Sequence, residues 1–463
     1  MSTLKVTSPY DHHLIAEIPL LDEKAVEKAL AAAYEVFQNR KKWLSIPDRI
    51  AILEKAYQLL ASRRMEFAKR AAEEGGKPLV DSLIETDRAA QGIKIAIESI
   101  GHIKGEEIAM GLTHSSLHRM AYTFREPVGV VLAISAFNHP INLVIHQVIP
   151  AIAVGCPVLI KPASATPLSC LAFLDLLYEA GLPEVFAQAI ICSSQIAEKL
   201  VSDPRVSFLS FIGSARVGWH LRSLLAPGVG CTLEHGGAAP VVVAADADRV
   251  DAVPLLVKGG FYHAGQVCIS VQRIFVDAKI ATEFAEDLSA QVEALKVGDP
   301  LQMNTEVGPL ITPEEVTRVA TWVDEAVAQG ALLLCGGKAL SETCYAPTIL
   351  YNPPLNATVC REEVFGPVVC INAYQTPEEA IRYANALPFS FQAAVFSKNI
   401  DMVLKMVKNL EAKTVLVNDH TAFRVDWMPF SGRKQSGFGT GGIAYSMQDM
   451  TYEKMMVIRS PSL

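Results

Sequence analysis

Two hydrophobic periods take turns along the chain. Over residues 22–37 apolar positions recur at helical spacing, with Val26, Ala29, Leu30 and Ala33 on one face and acidic residues at the start. Helical spacing continues over 47–65 and 67–74, with Pro47 suited to a first helical position. It breaks at Gly75 and Gly76 and resumes over 77–97. Residues 117–125 then alternate as an exposed hairpin strand does, and 128–134 is continuously apolar, as in a parallel strand buried on both faces. Helices are predicted over about 140–154 and 169–180, and strands over 157–161, 187–191, 206–212 and 240–244. This order predicts an α/β fold with a mostly parallel sheet covered by helices on both faces. Ligands in such sheets bind at the carboxyl ends of the strands. A second alternating stretch runs from 253 to about 429, and 452–459 reads as a lone strand whose free edge would pair with another subunit.

Composition narrows the class. A chain of 463 residues exceeds one hydrophobic core, so two or three domains are expected. With 50% hydrophobic and 19% charged residues it reads as an ordinary globular protein. The formal charge of −8 offers no basic footprint for nucleic acid. No apolar run approaches the length of a membrane span, and the first twenty residues do not read as a secretory signal. The 9 cysteines are scattered without a C-x-x-C pair, which predicts a reducing, cytoplasmic setting and neither a disulfide framework nor a metal site.

Three segments carry candidate chemistry. Cys268 lies in FYHAGQVCIS, Glu234 in TLEHGGAAP and Asn138 in ISAFNHPINL. Singly, each has a plain reading as a core thiol, a solvated turn or a helix cap. Together they supply a thiolate that adds to a carbonyl, an amide donor for the developing oxyanion and a carboxylate that activates water. Each falls beside a turn near a predicted strand, where side chains converge.

With these segments the chain resembles the aldehyde dehydrogenase superfamily over nearly its whole length. The resemblance rests on EPVGVVLAISAFNHP (126–140), KPASATPL (161–168), FIGS (211–214), LEHGG (233–237), GQVC (265–268), EEVFGPV (362–368) and PFSGRKQSGFG (429–439), in family order. It implies the aldehyde dehydrogenase fold: a Rossmann-like NAD(P)-binding domain (1–101 and 127–236), an α/β catalytic domain (237–436), and a small β oligomerisation arm (102–126 and 437–463) that builds a homodimer or homotetramer. Cys268 would form a thiohemiacetal and then a thioester, with Asn138 holding the oxyanion and Glu234 activating the hydrolytic water. Lys161 is carried over as the lysine at the adenosine ribose and counted with this machinery. Ile134, Ser135, Ala136, Phe137, Gly213, Ser214, Val217, Glu363 and Phe365 would line the cofactor. Where NAD-preferring relatives carry Glu, this chain has Ser164, whose hydroxyl can donate to a 2′-phosphate, so NADP is expected over NAD.

The same resemblance places Arg88, His139, Leu143, His146, Val267, Ile269, Arg424 and Phe430 around the substrate. One or two arginines and two histidines there predict a small aldehyde carrying a carboxylate, phosphate, phosphonate or sulfonate. The chain is similar to a branch that includes lactaldehyde, phosphonoacetaldehyde and semialdehyde dehydrogenases. Against this stands a plainer pairing of Arg424 with Asp419 or Asp426, and of Arg88 with Glu85. A neutral substrate such as lactaldehyde, a coenzyme A-acylating relative and a non-enzymatic protein on the same fold are the alternatives. Departures from the family pattern are His263 (for Asn), His235 (for Leu), Ser431 (for Gly) and a glycine-poor 191–195 loop.

Overall fold

The computed structural model describes residues 2–463. One six-stranded sheet runs in the order Gly437–Phe438, Gly230–Glu234, Val206–Ile212, Val130–Ile134, Val158–Lys161, Ala187–Ala189. Its pairs are parallel except for the two-residue edge strand at 437. A seven-stranded sheet follows the order Leu332–Cys335, Thr348–Tyr351, Val368–Tyr374, Val271–Asp277, Ala239–Val243, Gln392–Phe396, Thr414–Val417. Val130–Val131–Leu132–Ala133 is buried on both faces, which is why that run lacks polar alternation. The following helix, Asn142–Val154, is buried at every residue and ends where Gly155 turns to φ +96°.

Local signals explain most element boundaries. The Asp22 side chain caps Glu23–Gln38 by accepting from the Ala25 amide at 2.8 Å. Ser45 caps Ile46–Ser62, whose first turn holds Pro47. The helix expected to begin at 77 begins at Leu79 and runs to Ile100.

Register positions the site. Ile134 lies level with Lys161 on one side and Phe211 on the other, and Ile212 lies level with Glu234. The carboxyl ends of these strands therefore open on a common edge. Val271 and Val368 begin strands of the second sheet, and the loops just before them carry Cys268 and Glu363.

The expected lone strand is a correction. Thr451–Arg459 pairs antiparallel with Arg119–Pro127 of its own chain, from Thr451↔Pro127 to Arg459↔Arg119. Glu107–Ile108 completes this three-stranded arm, and Thr451–Arg459 keeps one free edge.

Candidate active site

The Cys268 loop is held in a strained shape. His263 and Ala264 sit at φ 49° and 54°, left-handed values that cost non-glycine residues energy and cluster at functional sites. Gln266 ties the loop to its surroundings, donating to the Pro309 carbonyl at 3.2 Å and accepting from the Ile311 amide at 2.9 Å. Thr421 donates to the Ile269 carbonyl at 2.7 Å. Burial pushes the Cys268 thiol up to about 12; the Arg424 guanidinium pulls it down, and Glu234 and Glu363 push it further up.

Asn138 is fastened to that loop, its amide donating to the Gln266 carbonyl at 2.9 Å. One of its two N–H groups is thereby used, and the other remains for an oxyanion. Glu234 ends its strand with its carboxyl buried and no hydrogen-bond partner among the described residues. Burial raises it to about 7, against the pull of Arg424 and Lys413. A Cβ on Gly441 would collide with that carboxyl, so glycine is required there.

One helix face braces the site. Asp81, Glu85 and Arg88 lie at helical spacing on Leu79–Ile100 and reach three different partners. Asp81 accepts from Lys258 at 2.6 Å, on the helix leading to the Cys268 loop. Glu85 pairs with the fully buried Lys77 and accepts the Ile141 and Asn142 amides at 2.9 and 3.0 Å, which fixes the turn after Asn138.

A cleft of about 750 Å³ joins these groups to the open edge of the first sheet. Ser135, Ala136, Phe137, Gly213, Ser214, Val217, Glu363 and Phe365 line it, and so do Arg216, Arg318 and Trp322, which the sequence reading did not single out. Helix Ala215–Leu224 begins there without a side-chain cap, leaving its first amides free for phosphate oxygens. Glu363 sits under Gly236, where a Cβ would strike its carboxylate, and accepts the Gly237 amide at 3.3 Å. Burial raises Glu363 to about 7. Phe365, at φ 46°, meets Phe137 edge-on at 5.8 Å. This lining, apolar with an uncapped helix start, fits a nicotinamide dinucleotide. Ile134, Lys161 and Ser164 stand just outside the lining, with Ala163 between the last two on it.

At the other end the arginine pairing differs from both expectations. Arg88 grips Asp426, not Glu85, through two bonds of 3.0 and 2.9 Å. Asp426 also binds His146 at 2.8 Å and Asn142 at 3.2 Å. His146 therefore stands behind Asp426 and does not line the cleft, although His139 and Leu143 do. Burial pushes His146 down to about 4. Burial alone would raise Asp426, but the His146 bond and the two arginines hold it well below the usual carboxylate range. Arg424 makes no ion pair with a carboxylate among the described residues. Its Nη2 meets His146 at 3.3 Å, its Nε has no partner, and its guanidinium lies 3.5 Å over the Phe430 ring. Val267 and Ile269 complete the wall. His139 bonds Tyr262 at 2.7 Å, a contact not foreseen.

Two of the departures from the family pattern have structural reasons. His235 packs on Gly218 and meets the Gly213 carbonyl at 2.9 Å. Ser431 accepts from Lys413, which also binds the Gly439 carbonyl at 3.1 Å. His263 is fully buried with both ring nitrogens unpartnered, and nothing in its surroundings accounts for it.

A parallel sheet opening on an uncapped helix start, opposite a thiol at the amino edge of a second sheet, is the plan of a dinucleotide-linked oxidoreductase. The chain belongs to the aldehyde dehydrogenase family, which it matches over residues 1–456. It is 40% identical over 456 residues to the 3-sulfolactaldehyde dehydrogenase of Priestia megaterium, covering 98% of this chain and 94% of that protein. It superposes with a TM-score of 0.95 and 34% identity on aldehyde dehydrogenase 21 from Physcomitrella patens in complex with the reaction product succinate, covering 99% and 95% of the two chains. For glyceraldehyde-3-phosphate dehydrogenase from Methanocaldococcus jannaschii complexed with NADP, the values are 0.93 and 35%, covering 99% of each chain. No helix among the described residues is long and apolar enough to cross a membrane.

Proposed function

We propose that the protein oxidises a small anionic aldehyde to the carboxylic acid with NADP or NAD, acting through Cys268. The observation that carries this reading is the convergence of Cys268, Asn138 and Glu234 on one cleft, with the carboxylate-free cation Arg424 beside them. Cys268 gives up its proton to solvent water and its sulfur adds to the aldehyde carbon; the free Asn138 N–H and the Cys268 amide hold the oxyanion. Ser135, Gly213, Ser214, Glu363 and Phe365 would hold the nicotinamide dinucleotide, which would supply the hydride acceptor for that carbon. The thioester left on Cys268 is then attacked by water, whose proton passes to Glu234 as the C–S bond breaks. A carboxyl near 7 is matched to that task at neutral pH. Glu234 also supports release of free acid over transfer to coenzyme A.

Lys161 and Ser164 would meet the adenosine ribose, with the serine hydroxyl and the exposed Arg216 on the cleft favouring a 2′-phosphate. The free edge of Thr451–Arg459 and its exposed Met455, Val457 and Ile458 would serve a homodimer or homotetramer in the cytoplasm. One observation favours a second reading: Asp426 neutralises Arg88, which leaves room for a neutral substrate such as lactaldehyde.

The test is reduced-cofactor formation with NAD and NADP in parallel, over anionic and neutral aldehydes of equal length, with Cys268→Ala as the blank. Faster turnover of the anionic set with NADP is expected. Preference for neutral aldehydes with NAD would discard both refinements.

A further inference from the structure

We propose that the pocket is built to receive one negative charge, and that Asp426 sets that number, so that aldehydes bearing a carboxylate or sulfonate are chosen over those bearing a doubly charged phosphate. This rests on the anionic-substrate reading above and sharpens it.

The charges at the substrate end set what the pocket can take. Arg88 and Arg424 bring two positive charges, and Asp426 removes one. Of the other ionisable groups facing this region, only Glu234 adds a charge, and only above about pH 7. His146 and His139 are buried against the arginines and stay neutral. Burial keeps the Tyr262 phenol protonated. Lys77 is matched by Glu85, and Lys258 by Asp81. Cys268 is held as a thiol, and Glu234 is neutral below about 7 and negative above it. With Glu234 protonated one positive charge remains, on Arg424; above about pH 7 the Glu234 carboxylate lowers that count further and disfavours a second negative charge all the more. The Arg424 Nε is buried without a partner, an unmet donor that an incoming anionic oxygen would satisfy. Arg88 contributes less, because Asp426 already occupies its Nε and Nη2.

A singly charged group entering here leaves a neutral, hydrogen-bonded assembly. A phosphate monoester carries close to two charges above its second pKa, near 6. It would bury one charge without a counterion, and a desolvated unpaired charge is strongly disfavoured. Family membership does not decide the matter, since one relative is named for a phosphate-bearing aldehyde.

The experiment compares aldehydes of one chain length ending in sulfonate, carboxylate, phosphate or a neutral hydroxyl, by kcat/KM at pH 8. The native enzyme is expected to favour sulfonate and carboxylate over phosphate at least about ten-fold. Asp426→Asn is expected to shrink or reverse that ratio, and Asp426→Glu to keep it. A second measurement needs no variant. As pH falls from 8 to about 5.5 phosphate loses a charge and sulfonate does not. The phosphate-to-sulfonate ratio therefore rises, and protonation of Glu234 moves it the same way. If phosphate matches sulfonate at pH 8 and the ratio stays flat with pH, the charge count is overturned and the anionic reading stands. If the neutral aldehyde is best, the anionic reading itself falls, and the charge count with it.

Discussion

The two ends of the protein half of the cleft bury ionisable groups in opposite ways. Around Cys268 the acids are desolvated and left without partners: Glu234 has no hydrogen bond among the described residues, and the thiol sits at about 12. Around Asp426 the groups are just as buried, yet they are locked together by Arg88, His146 and Asn142. Unpartnered burial makes an acid hold its proton, ready to move it during a reaction. Partnered burial fixes the charge, which then shapes binding and does no proton transfer. The same low dielectric thus leaves titratable protons at one end and fixed charges at the other.

The largest way to break this contrast is at the thiol. Cys268→Ala should abolish aldehyde oxidation, by at least about a thousand-fold, with little change in melting temperature. Glu234→Gln should slow thioester release by about 10²–10⁴-fold while leaving acylation, so that a burst of reduced cofactor equal to the enzyme precedes a slow steady state in stopped flow. A full steady rate in that variant would remove Glu234 from the hydrolytic step.

The paired groups should answer in stability instead. Lys77→Met strands Glu85 as a buried charge and should cost about 3–5 kcal/mol in denaturant unfolding. A loss confined to the surface range would show that the pair is solvated. The smallest effect is a shift of pH dependence. Where hydrolysis limits turnover, the rate should rise with pH through about 7 as Glu234 loses its proton. Arg424 favours the charged carboxylate, so Arg424→Met should raise that carboxyl further and move the rising limb to higher pH. An unmoved limb would separate Arg424 from Glu234.

Legibility in the sequence followed the range of each interaction. The strand expected over 206–212 is found as Val206–Ile212, because its apolar run and its burial are one local fact. Asn138, Glu234 and Cys268 were legible because each lies in a short motif whose order along the chain is itself informative. The Arg88–Asp426 pair spans 338 residues, and the nearby Glu85 offered a nearer partner that Lys77 had already taken. Asp81, Glu85 and Arg88 at helical spacing were the available signal, since three charges on one otherwise apolar face need buried partners. Lys77 gave no such hint, because a lone lysine after two glycines reads as solvated.

The first sheet ends on Gly437–Phe438, and the arm closes only when Thr451–Arg459 lies along Arg119–Pro127. During synthesis, then, a strand made early waits exposed while more than three hundred residues are added. Neither layer can be finished domain by domain as the chain leaves the ribosome. The arm cannot close until Thr451–Arg459 has emerged, and removing that strand would leave Arg119–Pro127 with an exposed, aggregation-prone edge.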